Sequence, residues 1–440
     1  MRTTLFGTDG IRARVGNPPF TSEQLTKLGK AIAQWIVATY PNNASIALAY
    51  DTRISCSLVK SALETGILLS PITIIDLGIL TTPVLAYFVS QRNDIYSGIM
   101  ISASHNPYFD NGIKIFDHEG KKISSHAEQQ INFYFYKTTS SQTYRSLGTI
   151  QSYQYAAKKY LQCLQARFTK NYLSGLTIAL DCAHGASYRL APYIFSSLGA
   201  RIKKVNIQPN GYNINKQCGA LFPEYLQKII KKSNADIGFC FDGDGDRVIA
   251  VTKHGIIKNG DDFLYLLSNH YRYKNNTIIV GTIMSNGRLE YYFNTQNKHI
   301  IRTAVGDKHV FNVLEKYNAT LGGEPSGHII LNDFQSTGDG IVTALTILEY
   351  ILHTNNIAME TFTHWPQAFV NIPIKTKKNL KKPPLNAIIE EYTQSLEQGR
   401  ILVRYSGTEP ILRIMVEHKN NNVAMSYAQH LAFNLKNALN

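Results

Sequence analysis

Two stretches put reactive side chains where an apolar run ends. In GIMISASHNPYFDNGIK (98–114) the run gives way to Ser102, Ser104 and His105, then Pro107, an expected Asn111–Gly112 turn and Lys114. In FCFDGDGDRV (239–248) it gives way to Asp242, Asp244 and Asp246, alternating with glycines and followed by Arg247. A serine hydroxyl is a poor nucleophile without a base or metal. No G-x-S-x-G elbow surrounds either serine, which argues against a hydrolase triad. Phosphoryl transfer fits better, because there a cation neutralises the phosphoryl oxygens and positioning carries most of the catalysis. Lys114 would serve as general base or acid if neighbouring positive charge lowered its pKa. Ser102 reads as turn chemistry and His105 as an orienting group.

Three carboxylates at alternate positions repel one another and call for a cation. All-oxygen donors suit Mg²⁺. An EF-hand is excluded, since Arg247 stands at the glycine position and Lys253 at the final glutamate position. A solvated Asp-Gly turn remains an alternative. So does a phosphatase with Asp242 as nucleophile, for which D-x-D after a strand is also a signature.

Three further loops carry polar groups. GGEPSGH (322–328) offers Glu324, Ser326 and His328, suited to sugar hydroxyls or an amino group, or else to a solvated turn. RYSGTEPILR (404–413) offers Arg404, Ser406, Gly407, Thr408 and Arg413, in composition a phosphate cradle of guanidinium forks, hydroxyls and backbone N–H groups. GTDGIR (7–12) adds Arg12, with a surface-loop alternative.

Strand-like and helix-like segments alternate along the 440 residues, which predicts α/β architecture. The periodicity predicts a helix over 22–40 capped at Thr21 or Ser22, strands at 45–51, 72–78 and 96–103, and helices at 58–69 and 82–91. The pattern restarts with strands at 176–181 and 236–242, and again at 277–283 and 319–324, with a helix over 338–353. The chain from 367 onward reads as a small α+β unit. Each α/β unit ends an apolar strand in one of the polar loops, and in open α/β sheets ligands sit beyond the carboxyl ends of strands. Four such loops could line one cleft.

Composition narrows the classes. Hydrophobic content of 44% supports packed cores. No run approaches the roughly 18 apolar residues of a membrane helix, and the start lacks the apolar segment of a signal peptide. A cytoplasmic protein is expected. The five cysteines, Cys56, Cys163, Cys182, Cys218 and Cys240, include no C-x-x-C pair and read as reduced thiols. Net charge is +14, which suits either a nucleic-acid scaffold or a cleft for anionic substrates. The basic residues are scattered, with only short clusters such as KTKKNLKK (375–382).

Taken jointly, the order and spacing of SASHNP, DGDGDR, GEPSGH and RYSGTEP resemble the α-D-phosphohexomutase superfamily over essentially the whole chain. FGTDGIR, AYDTRIS (49–55), DCAHGA (181–186), NIN (213–215), GTIMSN (281–286) and STGDGI (336–341) are similar to its bacterial members that act on glucosamine phosphates. The resemblance implies three similar α/β domains with mixed sheets plus a C-terminal α+β domain around a central cleft. The expected divisions are 1–150 with the phosphoserine loop, 151–253 with the metal loop, 254–366 with the sugar loop, and 367–440 with the phosphate-binding loop.

It also implies an isomerase, an intramolecular phosphotransferase. This would interconvert glucosamine 6-phosphate and glucosamine 1-phosphate on the route to UDP-N-acetylglucosamine and peptidoglycan. By motif position Ser104 carries the phosphate, and Asp242, Asp244 and Asp246 hold one Mg²⁺ per chain together with that phosphoserine. Lys114, Arg12 and His328 act near the transferring group. Arg247, Glu324 and Ser326 contact substrate, and Arg404, Ser406, Gly407, Thr408 and Arg413 hold the non-reacting phosphate. Glucosamine 1,6-bisphosphate is the implied intermediate and primer.

A phosphosugar is the expected partner, with no nucleic acid and no membrane, in a monomer or homodimer, and with a kinase to prime Ser104. Two departures from the family pattern are Ala13, where glycine is usual, and Pro325, where a polar residue is more usual. Pro325 fixes φ and removes an N–H between the two sugar contacts, so a stiffer loop is expected and sugar preference is the property it touches. The rival readings are mannose or glucose phosphates on the same fold, the Asp242 phosphatase, and a basic nucleic-acid scaffold.

Overall fold

The computed structural model describes residues 4–7, 9–40, 44–137, 146–406 and 410–439. Gly407 and Thr408 lie outside the described residues. The chain forms two compact units, Met1–Met284 with Ile300–Glu360, and Ser285–His299 with Thr361–Asn440.

In the larger unit, apolar runs too long for one-sided burial become interior strands covered on both faces. The first sheet contains β1 (Ile11–Arg14), β2 (Ser45–Tyr50), β3 (Thr73–Ile79), β4 (Ile95–Ile101), β5 (Asp110–Asp117) and β6 (Thr149–Ser152), in the order β1-β5-β4-β2-β3-β6. Strand β2 pairs parallel with β3 and β4, while β5 returns antiparallel between β4 and β1. The helix Ser22–Thr39 starts at Thr21, whose Oγ1 accepts the Gln24 N–H at 3.3 Å, an N-cap of the usual kind. Its stripe Leu25, Leu28, Ile32 and Ile36 packs with Val59, Leu63 and Ile67 of the helix Cys56–Ile67. Ile46 and Leu48, and Ile99 and Ile101, join them from alternate positions of β2 and β4. Each such side chain contributes about 1.5–3 kcal/mol by burial.

The second sheet contains β7 (Thr177–Asp181), β8 (Arg201–Val205), β9 (Ile237–Phe241), β10 (Val248–Thr252) and β11 (Ile257–Lys258), in the order β11-β10-β9-β7-β8. The third contains β12 (Ile278–Thr282), β13 (His299–Thr303), β14 (Leu321–Gly323) and β15 (Ile329–Leu331), in the order β13-β12-β14-β15. All three sheets of this unit share one device. An interior strand runs out into a polar loop, and the chain returns antiparallel beside it, as β4 to β5, β9 to β10 and β14 to β15. The loops so formed are SASHNP, DGDGDR and GEPSGH.

The expected Asn111–Gly112 turn is not a turn. Both residues lie in β5, opposite Ala13 and Arg12, and the reversal occurs earlier, between Ser104 and Phe109. Glycine is needed at 112 because a Cβ would lie 2.4 Å from the Ser102 carbonyl oxygen, so close strand packing rather than turn geometry explains it.

The smaller unit has the antiparallel sheet β16 (Gln367–Pro373), β17 (Gly399–Tyr405) and β18 (Ile411–His418), in the order β16-β18-β17. Leu431 and Leu435 of the helix Asn421–Leu439 pack on Ile414 and Val416. The helix Gly287–Thr295 belongs here because its first N–H, on Gly287, donates to the buried Glu417 at 2.7 Å. Arg400 pairs with the same carboxylate at 3.0 Å. Among the described residues no helix is long and apolar enough to cross a membrane.

Candidate active site

Ser104 sits at φ +50°, in left-handed backbone, and is fully buried. That conformation turns its hydroxyl away from its own sheet and onto the acidic loop, where Oγ donates to Asp242 Oδ2 at 2.6 Å. Ser102 is occupied otherwise. Its Oγ donates to Asp51 Oδ2 at 2.6 Å and accepts the Ser104 N–H at 2.9 Å. Ser102 therefore braces the turn, and Ser104 faces the acidic loop. His105 Nδ1 lies 3.3 Å from Ser104 Oγ. Burial, with Arg247 and Arg12 nearby, pushes its pKa down to about 3, so it is a neutral orienting group.

The acidic loop follows β9. A Cβ on Gly243 would stand 2.4 Å from the Ser104 carbonyl oxygen, so only glycine lets the two loops touch. Asp242, Asp244 and Asp246 are all buried, and one oxygen from each falls within 4.8 Å of the others. Burial pushes the Asp242 carboxyl well above its ordinary range, and Asp246 and Asp244 add to that rise. Asp244 Oδ1 and Asp246 Oδ1 are buried without a hydrogen-bond partner. Crowded, desolvated, all-oxygen donors with spare lone pairs are what a hard divalent cation fits.

Lys114 reaches this cluster from β5, with Nζ 2.8 Å from Asp244 Oδ2 and 2.7 Å from Asp246 Oδ2. Burial alone would lower its pKa, but Asp244, Asp246 and Asp9 outweigh burial and hold it well above its ordinary value. Lys114 is therefore an ammonium here, and the neighbouring positive charge that would make it a base is outmatched.

Above the acids lies a cavity of about 150 Å³, lined in part by Arg12, His105, Asp246, Arg247, Glu324 and His328. The Nε atoms of Arg12 and Arg247 are buried without a hydrogen-bond partner, Arg247 Nε standing 3.9 Å from Asp246 Oδ1. Each guanidinium lining the cavity thus keeps a donor that an anion could take. His328 stands with Nδ1 3.7 Å from Asp246 Oδ1, and its Nε2 accepts the Gly338 N–H at 3.1 Å. Glu324 is buried, with Oε1 accepting the Gly306 N–H at 2.8 Å. Ser326 Oγ is buried without a partner. The Pro325 carbonyl accepts the Gly260 N–H at 3.1 Å, which ties the loop to the helix Gly260–Ser268.

Three residues absent from the sequence reading hold this wall. Asp9 pairs with Arg12 and Lys122, and Lys122 also pairs with Asp307. Burial would raise the Asp9 carboxyl, but Lys114, Lys122 and Arg12 bring it well below its usual range. Asp9 lies inside GTDGIR and was legible as a motif neighbour. Lys122 and Asp307 carry no local signal.

The smaller unit has its own candidate. Arg404 of β17 and Arg413 of β18 are directly cross-strand partners. Burial, then Arg413, lowers the Arg404 pKa. Like charges directly opposite one another are destabilising, a cost that a bound anion would relieve. Ser406 follows β17, with its N–H on the Ile411 carbonyl at 2.9 Å and its carbonyl accepting from Lys377 Nζ at 3.1 Å.

Of the residues singled out in the sequence, the structure thus gathers Ser104, Lys114, Arg12, Asp242, Asp244, Asp246, Arg247, Glu324 and His328 around one cavity and its floor. Asp242 Oδ2 accepts from Ser104 Oγ, and Oδ1 accepts the Arg247 N–H at 3.2 Å.

Family models described as phosphoglucomutase/phosphomannomutase domains I, II, III and the C-terminal domain match residues 3–142, 158–255, 259–368 and 370–432. The chain is 39% identical over 436 residues to the phosphoglucosamine mutase of Acinetobacter baumannii (strain ACICU), covering 97% of each. Its fold is similar to that of a phosphoglucomutase/phosphomannomutase family protein from Burkholderia thailandensis, with a TM-score of 0.82 at 21% identity over 99% of this chain and 97% of that one. It is also similar to Aspergillus fumigatus N-acetylphosphoglucosamine mutase, solved in complex with GlcNAc-6P and magnesium. There the TM-score is 0.67 at 17% identity, over 99% and 96% of the two chains.

Proposed function

This chain belongs to the phosphoglucomutase/phosphomannomutase family, and on that premise we propose that it interconverts glucosamine 6-phosphate and glucosamine 1-phosphate through a phosphoryl group carried on Ser104. The observation that carries this reading is the Ser104 hydroxyl, 2.6 Å from Asp242 within a buried tri-carboxylate cluster and beneath two arginines with unspent donors. The glucosamine assignment rests on relatives named phosphoglucosamine mutase that match over 97% and 98% of their length.

Asp242, Asp244 and Asp246, with the Ser104 oxygen, would hold one Mg²⁺ per chain, which when bound neutralises charge on the transferring phosphoryl group. Arg12 and Arg247 take the equatorial phosphoryl oxygens. A sugar hydroxyl attacks phosphorus, the bond from phosphorus to Ser104 Oγ breaks, and a 1,6-bisphosphate forms. The bisphosphate turns over, and its other phosphate returns to Ser104. Lys114, as an ammonium, stabilises the oxygen left on Ser104 and delivers the proton it needs, and the proton lost by the attacking sugar hydroxyl restores the ammonium. His328 borders the same cavity as a helper. Glu324 and Ser326 meet sugar hydroxyls, and Arg404, Ser406, Gly407, Thr408 and Arg413 take the phosphate that is not reacting. Glucosamine 1,6-bisphosphate, or a kinase, primes Ser104. The expected setting is a cytoplasmic monomer or homodimer with domains at the four divisions read from the sequence.

The test is a panel of glucosamine, glucose and mannose phosphates assayed with Mg²⁺. Glucosamine 6-phosphate should dominate. Dominant turnover of a plain hexose phosphate would sink the substrate assignment, and phosphate mapped to Asp242 rather than Ser104 would sink the mechanism.

A further inference from the structure

AYDTRIS, DCAHGA and NIN have no part in the chemistry above, yet the first and last end on the backbone of the serine loop and DCAHGA braces the last. Arg53 is buried, and all five of its N–H donors are engaged. Nε donates to Asp51 Oδ2 at 2.9 Å. Nη1 donates to the carbonyls of Pro107 and, at 3.2 Å, Asp110. Nη2 donates to the carbonyls of Ser104 and Asn106, each at 2.9 Å. Asn215 arrives from the loop after β8 and donates from Nδ2 to the same two carbonyls, at 2.8 Å for Ser104 and 3.0 Å for Asn106.

The support behind Asn215 is itself unusual. Asn215, Ala183 and His184 all have left-handed backbone, at φ 58°, 51° and 50°. The Asn215 N–H donates to the Ala183 carbonyl at 2.9 Å. Thr52 Oγ1 donates to the His184 carbonyl at 2.6 Å, and the Ile54 N–H donates to the Gly211 carbonyl at 3.0 Å. The residues flanking Arg53 therefore anchor the segment that presents Asn215.

A left-handed serine is strained and persists only where its surroundings over-determine it. Here the carbonyls at 104 and 106 each receive two donors, one from the first sheet's loops and one from the second's. Released, Ser104 would relax toward ordinary φ and swing Oγ away from Asp242. The Arg53 charge is matched by Asp51 and its donors are spent on backbone, so it holds the loop rather than a phosphate.

We propose that Arg53 and Asn215 are positioning residues for phosphoryl transfer, a two-sided clamp that fixes Ser104 in its reactive backbone conformation. The proposal rests on Ser104 as the phosphoryl-bearing group.

The test uses the full chain with Asn215→Ala, Asn215→Asp, Arg53→Lys and Ser104→Ala, assayed on glucosamine 6-phosphate with Mg²⁺. In parallel, ³¹P NMR reads the phosphoserine after charging with glucosamine 1,6-bisphosphate. A displacement near 1 Å should lower kcat by about 10- to 100-fold in both Asn215 variants and in Arg53→Lys. KM should stay within about threefold, the pattern of a lost transition-state contact, and the phosphoserine resonance should shift or split. Asn215→Asp keeps the shape, loses the donors and turns an acceptor on the two carbonyls, so its kcat should fall at least as far as that of Asn215→Ala and exclude a packing role. If Arg53→Lys fails to fold, the Asn215 pair decides alone. Unchanged kcat and an unchanged resonance in the Asn215 variants, with Ser104→Ala inactive, would overturn the clamp and leave the serine mechanism standing. A rise in KM alone would also overturn it. Full activity in Ser104→Ala would instead remove the underlying mechanism.

Discussion

Ser104 donates a 2.6 Å hydrogen bond to Asp242 across 138 residues of sequence. That bond joins the loop after β4 to the loop after β9 and puts a hydroxyl among three carboxylates. If Ser104 carries the phosphoryl group, Ser104→Ala should lower turnover by at least about a thousandfold, the scale on which loss of a covalent nucleophile is read. Intact mass should show a partly phosphorylated wild type and no phosphorylated variant. Dephosphorylated wild type should stay inactive until primed. Full turnover without phosphate on the protein would refute this.

Metal removal should separate charge from chemistry. Burial and the neighbouring carboxylates push Asp242 up, so Asp242→Asn should relieve repulsion when chelator is present and raise the thermal midpoint there. The same variant should lose the rise in midpoint that Mg²⁺ gives wild type, which reflects a stabilisation of about 2.7 kcal/mol at a hundred times Kd. It should also lose activity. A variant that still responds fully to Mg²⁺ would remove Asp242 from the metal site.

Arg404 and Arg413 face one another across β17 and β18. Arg404→Met should raise KM by roughly 10- to 100-fold, the worth of a charge-assisted fork to phosphate. It should leave the thermal midpoint unchanged or slightly higher, because a like-charge pair is gone. A lowered midpoint with unchanged KM would assign Arg404 a structural role instead.

Glu349 should govern part of the acid limb of stability. Burial pushes its carboxyl up, but hydrogen bonds from His270 and Arg272, with Tyr271, outweigh burial and hold it at about 2 rather than 4.5. Its folded pKa lies below its unfolded one, so the unfolded chain takes up the proton first as pH falls. The stability Glu349 contributes is complete above pH 4.5 and drains away toward pH 2. In thermal melts across that window, wild type should fall more steeply than Glu349→Gln. Parallel curves would show that the carboxylate is not the cause.

The sequence by itself determined where the chemistry could be. Apolar runs that end in Ser-His, Asp-Gly-Asp or Glu-Pro-Ser are local signals, because strand burial and loop polarity are both written within a few residues. The alternating β and α elements and the three acids at 242, 244 and 246 were legible for that reason. The return strands were less so: Asn111 and Gly112 carry turn composition, yet they occupy β5 because Gly112 must pass against the Ser102 carbonyl.

Tertiary structure decided the rest. Local composition did not distinguish Ser104 from Ser102, which only motif alignment had separated. Asp51 separates them physically by claiming the Ser102 hydroxyl from the loop that follows β2. Lys114 is held as an ammonium by acids more than a hundred residues away. Lys122 and Asp307 show nothing in their own neighbourhoods, and Arg53 and Asn215 stand in motifs, AYDTRIS and NIN, that give no role by themselves, since each acts on a loop from a different part of the chain. Hydrogen bonds and buried charge depend on distances of a few ångströms that only the packing of sheets against one another sets, and no periodicity along the chain encodes them.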